Sequence, residues 1–178
     1  MTNGIKVKKR NGTIEPIALE KMHKMVEAAT DGLAGVSASQ VEIQSGIQFY
    51  DGITTQEIQE ILIRAASDLI DLDHPNYQFV AARLLLFSTR KSLYGRMKEL
   101  PHLVDHINSC VAAKVYDYGI YDAYSLEEIQ QADRWIDHER DFMFTYAGLR
   151  QVVDKYLVQD RSTGQVFETP QFMYMMIA

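Results

Sequence analysis

The chain has 178 residues, 47% of them hydrophobic and 24% charged, enough apolar mass for one core or two small ones and too much for a disordered chain. Its formal net charge of −6 argues against nucleic acid as a partner, because a basic face supplies most of that affinity, while a small phosphorylated ligand needs only a local cluster of cations. The single cysteine, Cys110, excludes an internal disulfide framework and a cysteine-rich zinc site and suits a reducing cytosol; no leader-like apolar run follows Met1, and no stretch approaches the length of a membrane span.

Ile5 to Arg10 and Thr13 to Ile17 are short runs joined by Asn11-Gly12, both tolerant of positive φ, so the chain opens on a predicted β-hairpin. Pro16 cannot donate to a ladder and sets its strand at an edge. Leu19, Met22, His23, Val26 and Ala29 recur at helical spacing and predict a helix to about Asp31, stopped by Gly32. Ser37-Ala38-Ser39-Gln40 has the form of a capping box and predicts a second helix to about Tyr50, followed by a turn at Asp51-Gly52. Thr54 or Thr55 caps a third helix, with Ile58, Ile61, Leu62, Ala65 and Leu69 on one face. His74-Pro75 breaks the chain, and a fourth helix runs from about Asn76 to Tyr94, ended by Gly95. Residues 1–95 therefore read as one mostly α unit of α+β type, a small hairpin capped by four helices.

Residues 96–178 read as a helical connector. A helix is predicted near Pro101, and Ser125-Leu126-Glu127-Glu128 is a capping box opening another toward Trp135. A further helix spans about Phe144 to Tyr156, and the runs flanking Thr163-Gly164 suggest a short second hairpin. Thr169-Pro170 opens a last helix, Gln171 to Ala178, by placing proline at its first position. That helix is nearly all apolar and ends without a cap, so it reads as a cut before a larger body, expected to fray or to expose a sticky surface.

The most informative chemistry is basic and N-terminal. Lys6, Lys8, Lys9 and Arg10 lie on the first strand, Lys21 on the first helix and Lys91 on the fourth. Alternation puts Lys6 and Lys8 on one face, Val7 and Lys9 on the other. Converging ammonium groups hold phosphates as point charges, and the start of a helix, where Thr55 sits, adds backbone N–H donors. On this pattern alone the alternative is a solvated edge strand that resists aggregation. Phe87 and Lys91 share a helix face, either as a platform for a base with an ammonium over phosphates or as a core aromatic with a lysine at its rim.

The remaining candidates are weaker. His102 and His106 share a face, yet no third ligand stands at a recognisable spacing, and no metal is expected. His138-Glu139-Arg140-Asp141 reads as a solvated helix end, and Cys110, between Ile107 and Val111, as an inert core thiol. Neither a glycine-rich phosphate loop nor a nucleophile elbow occurs.

Three segments together resemble the ATP-cone family: Val7-x-Lys9-Arg10-x-Gly12-x-x-Glu15-x-Ile17-x-x-x-Lys21, then Ile47-Gln48-Phe49-Tyr50-Asp51-Gly52-Ile53-x-Thr55, then Tyr77-Gln78-x-Val80-Ala81-Ala82-Arg83-Leu84. Further on, Tyr94-Gly95, Asp137-His138-Glu139-Arg140-Asp141, Lys155-Tyr156-Leu157-Val158, Thr163-Gly164 and Phe167-Glu168-Thr169-Pro170-Gln171-Phe172 resemble the segment leading into the barrel of bacterial and phage class I ribonucleotide reductase large subunits.

That resemblance implies an allosteric module of deoxyribonucleotide synthesis, cytoplasmic, which binds ATP as activator or dATP as inhibitor, with Mg accompanying the nucleotide. By position Lys9, Lys21, Thr55 and Lys91 would hold phosphates. The run Glu15, Pro16, Ile17, Ala18, Leu19, Glu20 and Lys21 would line the nucleotide, with Glu15 on the adenine side and Arg10 and Phe87 nearby. Ala18 stands where an asparagine is common, Ala28 where an aromatic often sits and Gln59 where a histidine often sits. The implied partners are the remainder of the large subunit and the radical-bearing small subunit. Ribose reduction in that family uses a thiyl-forming cysteine and a redox pair inside the barrel, a set that Cys110 does not replace. Two other readings stand beside this one: a transcriptional regulator of reductase genes, which would carry a cysteine-rich zinc ribbon ahead of the cone, and a structural remnant that binds no nucleotide.

Overall fold

A computed structural model describes residues 5–9, 12–46 and 48–178, and the chain divides into two compact units, Met1–Ser88 with Phe144–Leu149, and Thr89–Met143 with Arg150–Ala178. In the first unit β1 (Lys6–Lys8) pairs antiparallel with β2 (Ile14–Pro16), with Val7 opposite Glu15. Asn11 of the expected turn lies outside the described residues; Gly12, at φ +84°, donates its N–H to the Lys9 carbonyl at 2.9 Å, and the Lys9 N–H donates to the Thr13 carbonyl at 2.8 Å. Pro16 sits on the edge strand, as its missing donor requires.

A third strand, β3 (Ile53–Thr54), runs parallel to β1 on its other side and gives the order β2-β1-β3. No alternation signals a strand of two residues, and the sequence expectation was only a turn at Asp51-Gly52. That turn does the aligning: the Lys6 N–H donates to Asp51 Oδ1 at 2.7 Å, and the Gly52 N–H donates to the Lys6 carbonyl at 2.8 Å. Gly52 holds φ +86°, which a side chain would resist. Register partners Val7 and Ile53 are both buried.

Four helices complete the unit's frame. Helix α1 (Leu19–Thr30) buries Met25, Val26 and Ala29. Its last carbonyls are held from outside, because Arg83 Nη1 donates to the Asp31 carbonyl at 2.6 Å and the Ala29 carbonyl at 3.3 Å. Helix α2 (Ala38–Gly46) stops short of the expected Tyr50. At its start the Ser37 N–H donates to the hydroxyl of buried Tyr77 at 3.0 Å, and that hydroxyl donates to the Gln40 side chain, so a tertiary partner serves the segment read as a local box. Helix α3 (Thr55–Asp68) is capped by Thr54: Glu57 N–H donates to Thr54 Oγ1 at 3.1 Å, and Thr54 N–H donates to Glu57 Oε2 at 2.8 Å. Helix α4 (Tyr77–Tyr94) supplies buried Val80, Ala81, Leu84 and Phe87 and gives way to Gly95 at φ +70°.

The second unit is built from α5 (Leu103–Ala112), the unexpected single turn α6 (Ile120–Ala123), and α7 (Leu126–Asp133) with the expected Ser125–Glu128 capping box. A 3-10 helix follows at His138–Met143. The expected 144–156 helix is α8 (Tyr146–Gln151), of which the residues up to Leu149 belong to the first unit, passing into a π-helical turn at Val152–Tyr156. The second hairpin pairs β4 (Gln159–Asp160) with β5 (Gln165–Val166). Thr169 and Pro170 open α9 (Pro170–Ile177) as the sequence implies.

Leu103, Ile107, Ile129 and Phe172 form this unit's apolar core. The last helix seats part of its apolar surface on this core and leaves part of it exposed. Phe172 is fully buried, Met173 is buried, Met175 and Met176 pack against the core, and only Tyr174 and Ile177 stand exposed among its large apolar residues. A helix apolar all round needs a body to enter, and the connector itself provides one. Among the described residues no helix is long and apolar enough to cross a membrane.

Candidate functional site

The sheet gathers part of the predicted site at one end. Parallel pairing sets Lys8 beside Thr54, so Lys9 and Thr55 follow at the ends of neighbouring strands, and the hairpin folds Glu15 back toward Lys9. Lys9 Nζ lies 2.5 Å from Glu15 Oε2, with both side chains well exposed. Thr55 is the first residue of α3 and half-buried. Pro16 ends β2, the Ile17 N–H donates to the Ile5 carbonyl at 3.0 Å, and the chain turns at Ala18 into α1.

Ala18 offers no side-chain acceptor, so α1 begins without a side-chain cap; the Lys21 and Met22 N–H groups reach the Ala18 carbonyl at 3.1 and 3.3 Å. Leu19, Glu20 and Lys21, its first turn, are exposed. A helix start left open, with a lysine in its first turn, presents backbone donors and positive dipole to an anion. Arg10, the neighbouring candidate cation, lies outside the described residues.

The other candidates lie on α4. Phe87 is 3% exposed, the core alternative of its two sequence readings, while Lys91 stands exposed one turn further on, in the second unit. Gln59, at the position where the resemblance leads one to expect histidine, is buried, and its Oε1 accepts from the Ser88 hydroxyl at 3.1 Å. Beside the sheet, Glu57 accepts from both the Thr54 hydroxyl at 2.7 Å and the Tyr50 hydroxyl at 2.8 Å. The Thr54 hydroxyl bond, then the Thr54 N–H, then Tyr50 hold its carboxyl below the ordinary range and keep the cap ionised.

A polar cluster that the sequence did not disclose lies in the second unit. Arg90 Nη2 sits 3.1 Å from Asp141 Oδ2 with side chains 3% and 0% exposed, and also donates to the His138 carbonyl at 2.7 Å. Gln171 Nε2 donates to Asp141 Oδ1 at 2.9 Å, and the Arg90 guanidinium stands 5.2 Å from the centre of the Phe142 ring. The reading of His138 to Asp141 as a solvated end therefore fails at Asp141. Charge in a run does not say which member turns inward; that depends on Arg90, far away in sequence.

His106 and His102, expected to share a face, part company. His102 is exposed beside Asp133, whereas His106 is buried and stacked on Phe172 with ring centres 4.1 Å apart. Its Nε2 is 3.1 Å from the Tyr116 hydroxyl, which donates to Glu168, and its Nδ1 is 3.3 Å from the Tyr94 hydroxyl. Burial pushes His106 down to about 4, and burial, then Arg90, do the same to His138. The Cys110 thiol is pushed up to about 11 by burial, and then by Glu168, which fits an inert core thiol. Among the described residues no group of three or more His, Cys, Asp or Glu is disposed to hold a metal.

The chain is similar to known proteins along its whole length. Residues 5–92 match the ATP cone domain. The whole chain is 47% identical to ribonucleoside-diphosphate reductase 1 subunit alpha of Escherichia coli (strain K12), and 46% identical to the ribonucleoside-diphosphate reductase subunit alpha of Haemophilus influenzae. Over 175 residues, 97% of this chain, it is 43% identical to the corresponding subunit of enterobacteria phage T4. The chain spans 23% of the length of each of these relatives. It thus carries an ATP cone domain. With that domain and the segment behind it, it belongs with the N-terminal region of bacterial and phage ribonucleoside-diphosphate reductase alpha subunits.

Proposed function

We propose that this chain is the allosteric module of a ribonucleoside-diphosphate reductase large subunit, binding ATP as activator or dATP as inhibitor, with Mg carried on the nucleotide. The observation that supports it most is the sheet end where Lys9, Glu15 and Thr55 gather, with β2 leading directly into an α1 start that has no side-chain cap. In this reading Lys9, Lys21, Thr55 and Lys91 meet the phosphates, with Arg10 beside Lys9. Glu15, Pro16, Ile17, Ala18, Leu19 and Glu20 line the base and sugar, and Phe87 backs that face of α4 from the core. The cone comprises residues 1–95 and the connector 96–178. The partners are the remainder of the large subunit and the small, radical-bearing subunit, in the cytoplasm.

Calorimetric titration of the chain with ATP and with dATP tests this. Binding of both is expected, and Lys9→Ala and Lys91→Ala should each weaken both nucleotides by about tenfold to a hundredfold, the roughly 1.5–3 kcal/mol of a charge-assisted phosphate contact. Unchanged affinity in both variants would move the site elsewhere. No binding of either nucleotide to the unaltered chain would leave only the structural remnant.

A further inference from the structure

Between α5 and the middle of α7 the second unit turns a row of large side chains outward. Tyr118, Tyr124 and Leu126 are 68%, 58% and 53% exposed, and every residue from Asp122 to Glu128 is exposed. Apolar surface gathered in so short a stretch, in a unit that has a core to receive it, marks a contact face. The aromatic part of that face is braced from below. The Tyr118 ring stands against that of Tyr121, with centres 5.3 Å apart, Tyr121 packs on the core, and its hydroxyl donates to Asn108 Oδ1 on α5 at 2.6 Å.

Charge says what such a face receives. Asp117, Asp122, Glu127 and Glu128 alternate with these side chains along the chain, and no lysine, arginine or histidine occurs between Lys114 and Arg134. Two of the four carboxylates are held in place: Asp117 Oδ1 accepts from the Gly119 N–H at 2.7 Å, and Glu128 Oε2 accepts from the Ser125 N–H at 2.8 Å and the Ser125 hydroxyl at 2.9 Å. The Ser125 N–H, then its hydroxyl, hold the Glu128 carboxyl below the ordinary range. Among the described residues none of the four takes part in an ion pair. We infer that residues 117–128 form a docking face for a cationic, arginine-bearing segment of another protein. A guanidinium is planar, so it lies on a tyrosine ring and bonds to a neighbouring carboxylate at once, whereas an ammonium meets only the charge. Leu126 receives the aliphatic stem of such a side chain. Nucleic acid and an anionic lipid surface are repelled by the same carboxylates. The face lies within the second unit and is independent of the nucleotide reading.

Calorimetry and amide chemical shifts of the full chain test this at physiological salt, with a short synthetic peptide of arginine interleaved with glycine and leucine as the probe. It should bind saturably and shift amides within 117–128, the same peptide with lysine should bind more weakly, and the same peptide with glutamate should not bind. Tyr118→Ala with Tyr124→Ala leaves the charge untouched and should weaken the arginine peptide about fivefold or more. Asp122→Lys with Glu127→Lys should weaken it about tenfold. Glu60→Lys with Asp68→Lys, exposed on α3, changes the net charge equally and should stay within about twofold of the unaltered chain. The substituted side chains are all exposed, and melting midpoints confirm that each variant folds. Absence of saturable binding would overturn the inference, as would shifts confined to residues outside 117–128, an equal loss in the α3 pair, or full affinity in the tyrosine pair. Self-association of the unliganded chain in sedimentation, lost in the tyrosine pair, would assign the face to a second copy and overturn it too.

Discussion

In the first unit the ion pairs lie toward solvent: Lys9 and Glu15 pair with side chains 38% and 50% exposed, and, away from the candidate site, His23 meets Glu27 and Glu42 on α1 and α2. In the second unit, Arg90 and Asp141 pair out of contact with water, and His106, Tyr116 and Glu168 form a chain of polar groups inside the fold. The first unit takes its stability from an apolar core of Val26, Val41, Ile53, Leu62, Val80 and Leu84, and carries its ion pairs near the surface. A screened pair such as Lys9–Glu15 costs little to open, which is what the proposed transfer of the lysine to a phosphate would require. A buried pair does not exchange partners so cheaply, and it serves to hold position.

The strongest way to break this comparison is to cut one pair in each unit. Arg90→Ala leaves the Asp141 carboxylate buried without its cation and should destabilise the second unit by about 3–5 kcal/mol, whereas Lys9→Ala should change stability by under about 1 kcal/mol. Urea melts of the two variants check it, and equal losses would erase the distinction. Replacing both Arg90 and Asp141 by apolar residues of similar volume should restore most of the lost stability.

Acid should separate the units next. Burial holds His106 and His138 down at about 4, so both are neutral in the folded protein. The unfolded chain takes up those protons at about 6.5, so their contribution is complete above about 6.5 and is lost as pH falls toward about 4. The loss approaches roughly 1.4 kcal/mol per pH unit for each histidine within that window. Asp141, held above the ordinary carboxyl range by burial, runs the other way and blunts the loss at the acid end. Thermal melts between pH 7 and pH 4.5 should lose less stability in a His106→Phe chain, provided it folds; an unchanged slope would place the acid sensitivity elsewhere.

The boundary between the units gives a third test. Leu149 is fully buried and belongs with the first unit, although it lies beyond the proposed cone boundary. A 1–95 piece should fold and melt below the full chain, short of the roughly 1.5–3 kcal/mol that burying a leucine contributes. A piece that stays unfolded by circular dichroism would move the boundary to include the 144–149 segment. The smallest effect belongs to the α3 cap: Thr54→Ala removes the acceptor of the Glu57 N–H and a donor to the Glu57 carboxylate and should cost about 1 kcal/mol. An unchanged melting midpoint would show that the sheet alone holds that helix start.

Local signals settled much of this protein by themselves. The Pro16 edge strand, the α3 and α7 capping boxes, the glycine after α4 and the proline opening α9 each act within a few residues, so the sequence is enough to read them. The ATP-cone resemblance was legible because its residues, Lys9 to Lys21 above all, lie close together in the chain. What the sequence could not give depends on partners distant along it. Strand β3 exists because Asp51 and Gly52 reach Lys6, and α2 begins against the hydroxyl of Tyr77. Asp141 turns inward because Arg90 is there to meet it, and the last helix buries Phe172 because a core built from α5 and α7 receives it. Hydrophobic period and turn chemistry are properties of a short window, whereas the burial of a charge or of a wholly apolar helix is decided by which surface arrives opposite it, and that only the folded chain determines.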